Sequence, residues 1–128
     1  MKLVALIAAA GVVLAAAQAS AQDGAVGEKV FAKCRACHQV GESAKSAIGP
    51  KLNGLFGRKA GTVGGFNYSD ANKQSGVLRD EASFASYIQD PRKFMPGAKM
   101  VFVGLKSDKE IADITAFLKQ FGLDGKKR

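Results

Sequence analysis

Cys34-Arg35-Ala36-Cys37-His38 holds both cysteines and the single histidine of this 128-residue chain. On a helical turn, side chains three and four apart share a face, so Cys34, Cys37 and His38 point the same way. Two sulfurs and an imidazole at that spacing form the attachment site of a c-type haem: the thioethers clamp the porphyrin edge, and the imidazole ligates the iron from one side. One such pentapeptide implies one haem, with its iron, per chain.

Two other chemistries use related spacings. A thioredoxin-like redox pair sits at a strand-to-helix junction, and no strand pattern precedes Cys34. A zinc site needs a fourth ligand, usually a further cysteine or histidine, and the chain has neither to offer.

Upstream, Met1-Lys2 is a short basic start, residues 3–17 are an unbroken apolar run, and Gln18-Ala19-Ser20-Ala21 is a small-residue cleavage signal. Residues 1–21 thus read as a secretory signal peptide cut after Ala21, which leaves one domain at 22–128. The run falls short of the roughly 20 residues that span a bilayer, and no later segment is longer or more apolar, so no stable membrane insertion is expected. Export points to the periplasm, an oxidising compartment where thioether-bonded sulfurs are safe. The formal charge of +8 favours acidic partners. Export excludes nucleic acid as one of them.

Downstream, the expected architecture is all-α, with four or five helices and long Gly-rich loops. Asp23 is the candidate cap of a first helix with an apolar stripe of Val26, Val30 and Phe31, and Gly27 on that face would admit another helix. Residues 40–69 show no sustained period and carry Gly41, Gly49, Gly54, Gly57, Gly61, Gly64 and Gly65. A loop of that length needs a large rigid object to wrap, and a haem supplies it. Ser69-Asp70 caps a short helix stopped by Gly76. A further helix runs from about Asp80 to Gln89, presents Phe84, Tyr87 and Ile88, and stops at Pro91. The last helix opens on a capping box of Ser107 and Glu110, shows Ile111, Ile114, Phe117, Leu118 and Phe121, and ends at Gly122 ahead of a frayed, solvated Lys126-Lys127-Arg128 tail. Past the leader, Met95 and Met100 are the available thioethers for the second axial position. A thioether there closes the iron and suits it to passing single electrons, whereas an open position would suit gas binding or peroxidase chemistry.

The chain resembles the class I cytochromes c, in the bacterial cytochrome c2 branch close to mitochondrial cytochrome c. The segments that carry the likeness are Cys34 to His38, Gly49-Pro50-Lys51-Leu52, Gly54-Leu55-Phe56-Gly57-Arg58, Gly65-Phe66-Asn67-Tyr68-Ser69-Asp70-Ala71-Asn72, and Asp90-Pro91-Arg92-Lys93 onward to Lys99-Met100. The resemblance implies the small cytochrome c fold around a covalently attached haem, with Met100 as sixth ligand and Met95 as a packing residue; a large apolar void lined by His38 and Met100 is expected where the haem lies. It implies that the Pro50 carbonyl accepts a hydrogen bond from His38, that Tyr87 lies near the methionine sulfur, and that Arg58, Tyr68 and Asn72 serve the inner haem face and its propionates. It also matches Gly27, Phe31, Ile114 and Phe117 to a crossing of the first and last helices.

Two positions depart from the pattern. Arg79 stands where the family usually has a tryptophan, and it either pairs with a propionate or points to solvent. Ala98 replaces a frequent threonine, which leaves the Met100 loop less firmly held. The function implied is that of a monomeric one-electron carrier, not an enzyme, between a quinol-oxidising bc1-type complex and a photosynthetic reaction centre or a terminal oxidase. Lys33, Lys45, Arg92, Lys93, Lys99 and Lys106 would form its basic docking edge.

Overall fold

Asp23 has an extended backbone, and its Oδ1 accepts from the amides of Ala25 at 2.9 Å and Val26 at 3.2 Å, so two of the donors that begin a helix are satisfied locally. The computed structural model describes residues 9–12 and 23–128. The signal-peptide reading of residues 1–21 lies outside the described residues, apart from 9–12. Helix α1 (Gly24–Phe31) buries Gly27, Val30 and Phe31, whereas Val26 is 39% exposed. Val26 drops out of the expected stripe because the buried face is centred on positions 27, 30 and 31, about a quarter-turn away at 3.6 residues per turn.

That face packs on α5 (Asp108–Lys119), which buries Ile111, Ile114, Phe117 and Leu118 and is capped by Ser107. A Cβ on Gly27 would fall on the Asp113 carbonyl and lie 2.8 Å from Phe117 Cβ, so only glycine lets the helices approach this closely. The Phe31 and Phe117 rings meet beside it at 5.2 Å between centroids. Asp113, 1% exposed, ties the crossing together. Its carboxylate accepts from the Asp23 amide at 3.0 Å and from Lys109 Nζ at 2.6 and 2.7 Å. The capping box is only half made: Ser107 Oγ accepts from the Glu110 amide at 3.3 Å, but the Glu110 carboxylate turns to Lys33 Nζ at 2.8 Å. A full opposite charge outcompetes a neutral amide for that carboxylate.

Between these helices, α2 (Asp70–Gln74) starts from Ser69 rather than Asp70, with the serine hydroxyl accepting from the Asn72 amide at 3.1 Å. Helix α3 (Glu81–Gln89) opens on a complete capping box of Asp80 and Ser83 and buries Phe84, Tyr87 and Ile88. Pro91 does more than stop α3. It is the first residue of α4 (Pro91–Phe94), where a missing N–H costs nothing, and Asp90 caps that turn by accepting from the Lys93 amide at 3.2 Å.

The described residues thus form five helices and no strands, only the isolated antiparallel bridges Lys59–Leu78 and Phe121–Lys127. Residues 40–69 stay free of helix and strand, as their pattern predicts. The C-terminal tail is not frayed: the Arg128 amide donates to the Gln120 carbonyl at 2.8 Å and the Gly122 amide to Lys126 at 3.1 Å, so only its side chains are solvated. No helix among the described residues is long and apolar enough to cross a membrane.

Gly27→Ala is expected to cost about 1–3 kcal/mol through overpacking, read as a lower denaturant midpoint. The crossing also responds to acid. The Lys109 hydrogen bond, with help from the Asp23 amide, holds the Asp113 carboxyl below the ordinary carboxylate range. Its contribution to stability is therefore full above the unfolded value of about 3.9 and is lost as pH falls through the lower folded value. Asp113→Asn should lower stability at neutral pH and flatten the acid limb of a stability-against-pH curve; an unchanged limb would remove Asp113 from it.

Candidate haem-binding site

One turn of chain beyond α1 assembles the sulfur and nitrogen donors. The Cys34 amide donates to the Phe31 carbonyl at 2.8 Å, and the amides of Cys37 and His38 both donate to the Cys34 carbonyl, at 3.0 and 2.9 Å. Cys34, Cys37 and His38 are each half-buried. A helix, not a strand, leads into the cysteines, and the Cys34 thiol is pushed up to about 11, chiefly by burial and further by Cys37 against the opposing pull of Lys33. Such a thiol is the reverse of the acidic, exposed nucleophile that disulfide exchange requires.

The imidazole is oriented by the Gly-rich loop. His38 Nδ1 lies 2.7 Å from the Pro50 carbonyl oxygen. A carbonyl can only accept, so Nδ1 carries the proton and Nε2 presents its lone pair. Burial lowers the His38 pKa, partly offset by the Pro50 bond, and keeps the ring neutral at pH 7. The loop is held against the ring by the Gly49 amide, which donates to the Cys37 carbonyl at 2.8 Å. A Cβ on Gly49 would sit 2.7 Å from Nδ1 and 2.8 Å from Nε2, so glycine is required there as well. That role for Gly49 is not apparent in the sequence, where its only signal is its place directly before Pro50.

On α3, the Tyr87 hydroxyl donates to Met100 Sδ at 2.9 Å. A thioether sulfur has two lone pairs, so this bond fixes the side chain and leaves a donor pair over. Met95 is 4% exposed and packs with Ala60 and Tyr87, a gap-filling position.

The polar side of the site carries a surplus of positive charge, from buried Arg79 and half-buried Arg58. Arg58 Nη1 donates to the Asn53 carbonyl at 2.7 Å, and the buried Tyr68 hydroxyl accepts from the Val63 amide at 3.1 Å. Arg79 does not point to solvent: it is 6% exposed, with its guanidinium carbon 4.2 Å from the Tyr87 ring centroid. Burial lowers the pKa of both guanidiniums, opposed by Tyr68 at Arg58 and by Tyr87 and Tyr68 at Arg79. Among the described residues neither arginine has a carboxylate partner, and Arg79 Nη1 and Asn72 Oδ1 are buried without any hydrogen bond.

An uncompensated buried cation costs several kcal/mol, so this edge calls for an anion. A haem fits the residues present: its two carboxylates answer the guanidiniums, and its iron answers the imidazole and thioether donors. Two clefts on the described surface lie elsewhere, one between α3 and α5 beside Ala85 and Ile111, the other beside Ser86, Phe94 and Lys106. Neither touches His38 or Met100, so the apolar space expected between those residues is neither of these clefts.

The Cytochrome c family model matches residues 24–122. This chain belongs to the cytochrome c family. It is 59% identical over 107 residues to cytochrome c2 of Rhodoplanes tepidamans, spanning 84% of this chain and 100% of that one. It is 52% identical over 112 residues to cytochrome c2 of Blastochloris viridis, spanning 88% of each. Among solved structures, cytochrome cH from Methylobacterium extorquens matches with a TM-score of 0.73 at 45% identity, covering 77% of this chain and 98% of that one. The cytochrome is accordingly an electron carrier rather than an enzyme and binds haem c, with its iron, covalently; Cys34 and Cys37 are consistent with the attachment motif.

Gly49→Ala is expected to push the loop off the imidazole, at a cost of about 1–3 kcal/mol in stability and with shifted His38 ring resonances. Unchanged resonances and an unchanged denaturant midpoint would contradict that contact.

Proposed function

We propose that this cytochrome is a soluble, monomeric, periplasmic one-electron carrier, cleaved after Ala21, whose haem iron is held by His38 and Met100. When bound, the haem supplies the Fe(III)/Fe(II) couple. The observation that carries the reading is the pair of second-sphere hydrogen bonds: Pro50 leaves His38 Nε2 free to donate, and Tyr87 holds Met100 Sδ with a lone pair to spare. Buried Phe31 and Tyr87, with half-buried Phe94 and Phe102, exclude water and hold the surroundings rigid, so little rearrangement accompanies a change of charge. A methionine thioether and a pocket of low polarity favour the reduced form and raise the potential.

We further propose that electrons pass between a bc1-type complex and a photosynthetic reaction centre or a terminal oxidase, by way of the basic surface. Lys45, Arg92 and Lys93 are exposed and, among the described residues, lie in no ion pair. Lys33 is partly neutralised by Glu110, while Lys106 Nζ donates to the Gln89 carbonyl at 2.6 Å and Lys99 Nζ to the Asn67 carbonyl at 3.3 Å. Exposed like charges of this kind steer encounter with an acidic partner and release it quickly.

The absorption spectrum of the oxidised protein tests the ligand set. Wild type and Met95→Leu should show the methionine-to-iron charge-transfer band, and Met100→Leu should lose it. The reduced wild type should not bind carbon monoxide at neutral pH. Binding, or a wild type without the band, would favour a gas-binding or peroxidase function instead. The electron-transfer rate with an acidic redox partner should fall as salt rises, because surface charges are screened beyond about 8 Å at physiological ionic strength. Lys93→Gln should shallow that dependence, and a salt-independent rate would remove the steering role.

A further inference from the structure

Arg79 is fixed from both sides. Its amide donates to the Arg58 carbonyl at 2.9 Å and its carbonyl accepts from the Gly57 amide at 2.7 Å, so its backbone has little freedom. Its guanidinium lies against the Tyr87 ring, 4.2 Å from the centroid, and that same tyrosine donates to Met100 Sδ at 2.9 Å. One of its terminal nitrogens, Nη1, is buried and has no partner in the protein. A tryptophan at this position would offer a single N–H and no charge, whereas arginine offers several donors in a planar fork and a permanent positive charge.

We infer that Arg79 is a positioning residue that links the two ends of the haem site: its free Nη1 pairs with a haem carboxylate, while its guanidinium, over the Tyr87 ring, holds that ring where the hydroxyl reaches Met100. The link is both mechanical and electrostatic. Stacking of a guanidinium on an aromatic face restrains the ring, and the ring carries the hydroxyl that restrains the sulfur. A buried positive charge near the iron disfavours the more positive ferric state, so Arg79 raises the reduction potential. The mechanical half rests on Met100 as the sixth ligand; the electrostatic half does not.

The test compares wild type with R79Q, R79K, Y87F and the R79Q/Y87F double variant as holoproteins. The readouts are the midpoint potential and the guanidinium chloride concentration at which the methionine-to-iron band disappears. R79Q should lower the potential and lose the band at lower denaturant. R79K should restore most of the potential, because the charge is kept, but not the band, because the stacking plane is lost. Y87F should weaken the band less in the R79Q background than in wild type. Unchanged potential and band in R79Q, or strictly additive effects of R79Q and Y87F on the band, would overturn the inference. Should R79Q not accumulate with haem, R79K decides, since a band as persistent as in wild type would overturn it. A wild type lacking the band would instead sink the Met100 reading, and the potential of R79Q would still judge the carboxylate pairing.

Discussion

The hydrogen bond from His38 Nδ1 to the Pro50 carbonyl joins the two halves of this molecule. On one side lies a helix whose end delivers two thiols and an imidazole; on the other lies a long loop with no ladder or helix of its own. A loop of that kind has to find partners for its backbone and an apolar surface to wrap, or it stays disordered. It takes backbone partners from the attachment turn, through Gly49 to Cys37 and Leu52 to Gln39, and contributes Leu55 to the main core. The same contacts that order the loop fix the tautomer of His38.

A second constraint comes from charge. Two guanidiniums, Arg79 buried and Arg58 half-buried, with no carboxylate among the described residues to balance them, make little sense in a protein that ends at its own atoms. They make sense around a group that brings acid with it. Donor atoms for a metal on one side and uncompensated cations on the other describe complementary parts of a single cofactor, and a haem has both.

The features legible in the sequence are those set by local chemistry. Asp23 and Ser107 cap helices because their side-chain oxygens reach amides two or three residues on, which the local sequence predicts. Gly27 at the helix crossing and the paired cysteines followed by histidine are legible for the same reason, since their spacing carries the geometry. What escapes the sequence is competition between distant partners. Glu110 abandons its cap for Lys33, Val26 falls off a face whose centre is set by α5, and the basic tail folds back onto Gln120 and Gly122. Arg79 is the clearest case: a charged residue where a tryptophan is usual reads equally well as exposed or buried, and only the surrounding tyrosines decide it.

The central claim is that an iron porphyrin sits between the nitrogen of His38 and the sulfur of Met100 and gives this chain its function. X-ray absorption at the iron edge of the purified cytochrome tests it most directly. The expected result is a first shell of nitrogen scatterers with a single sulfur that disappears in Met100→Leu. A shell containing only nitrogen and oxygen in the wild type, or a protein without iron, would contradict it.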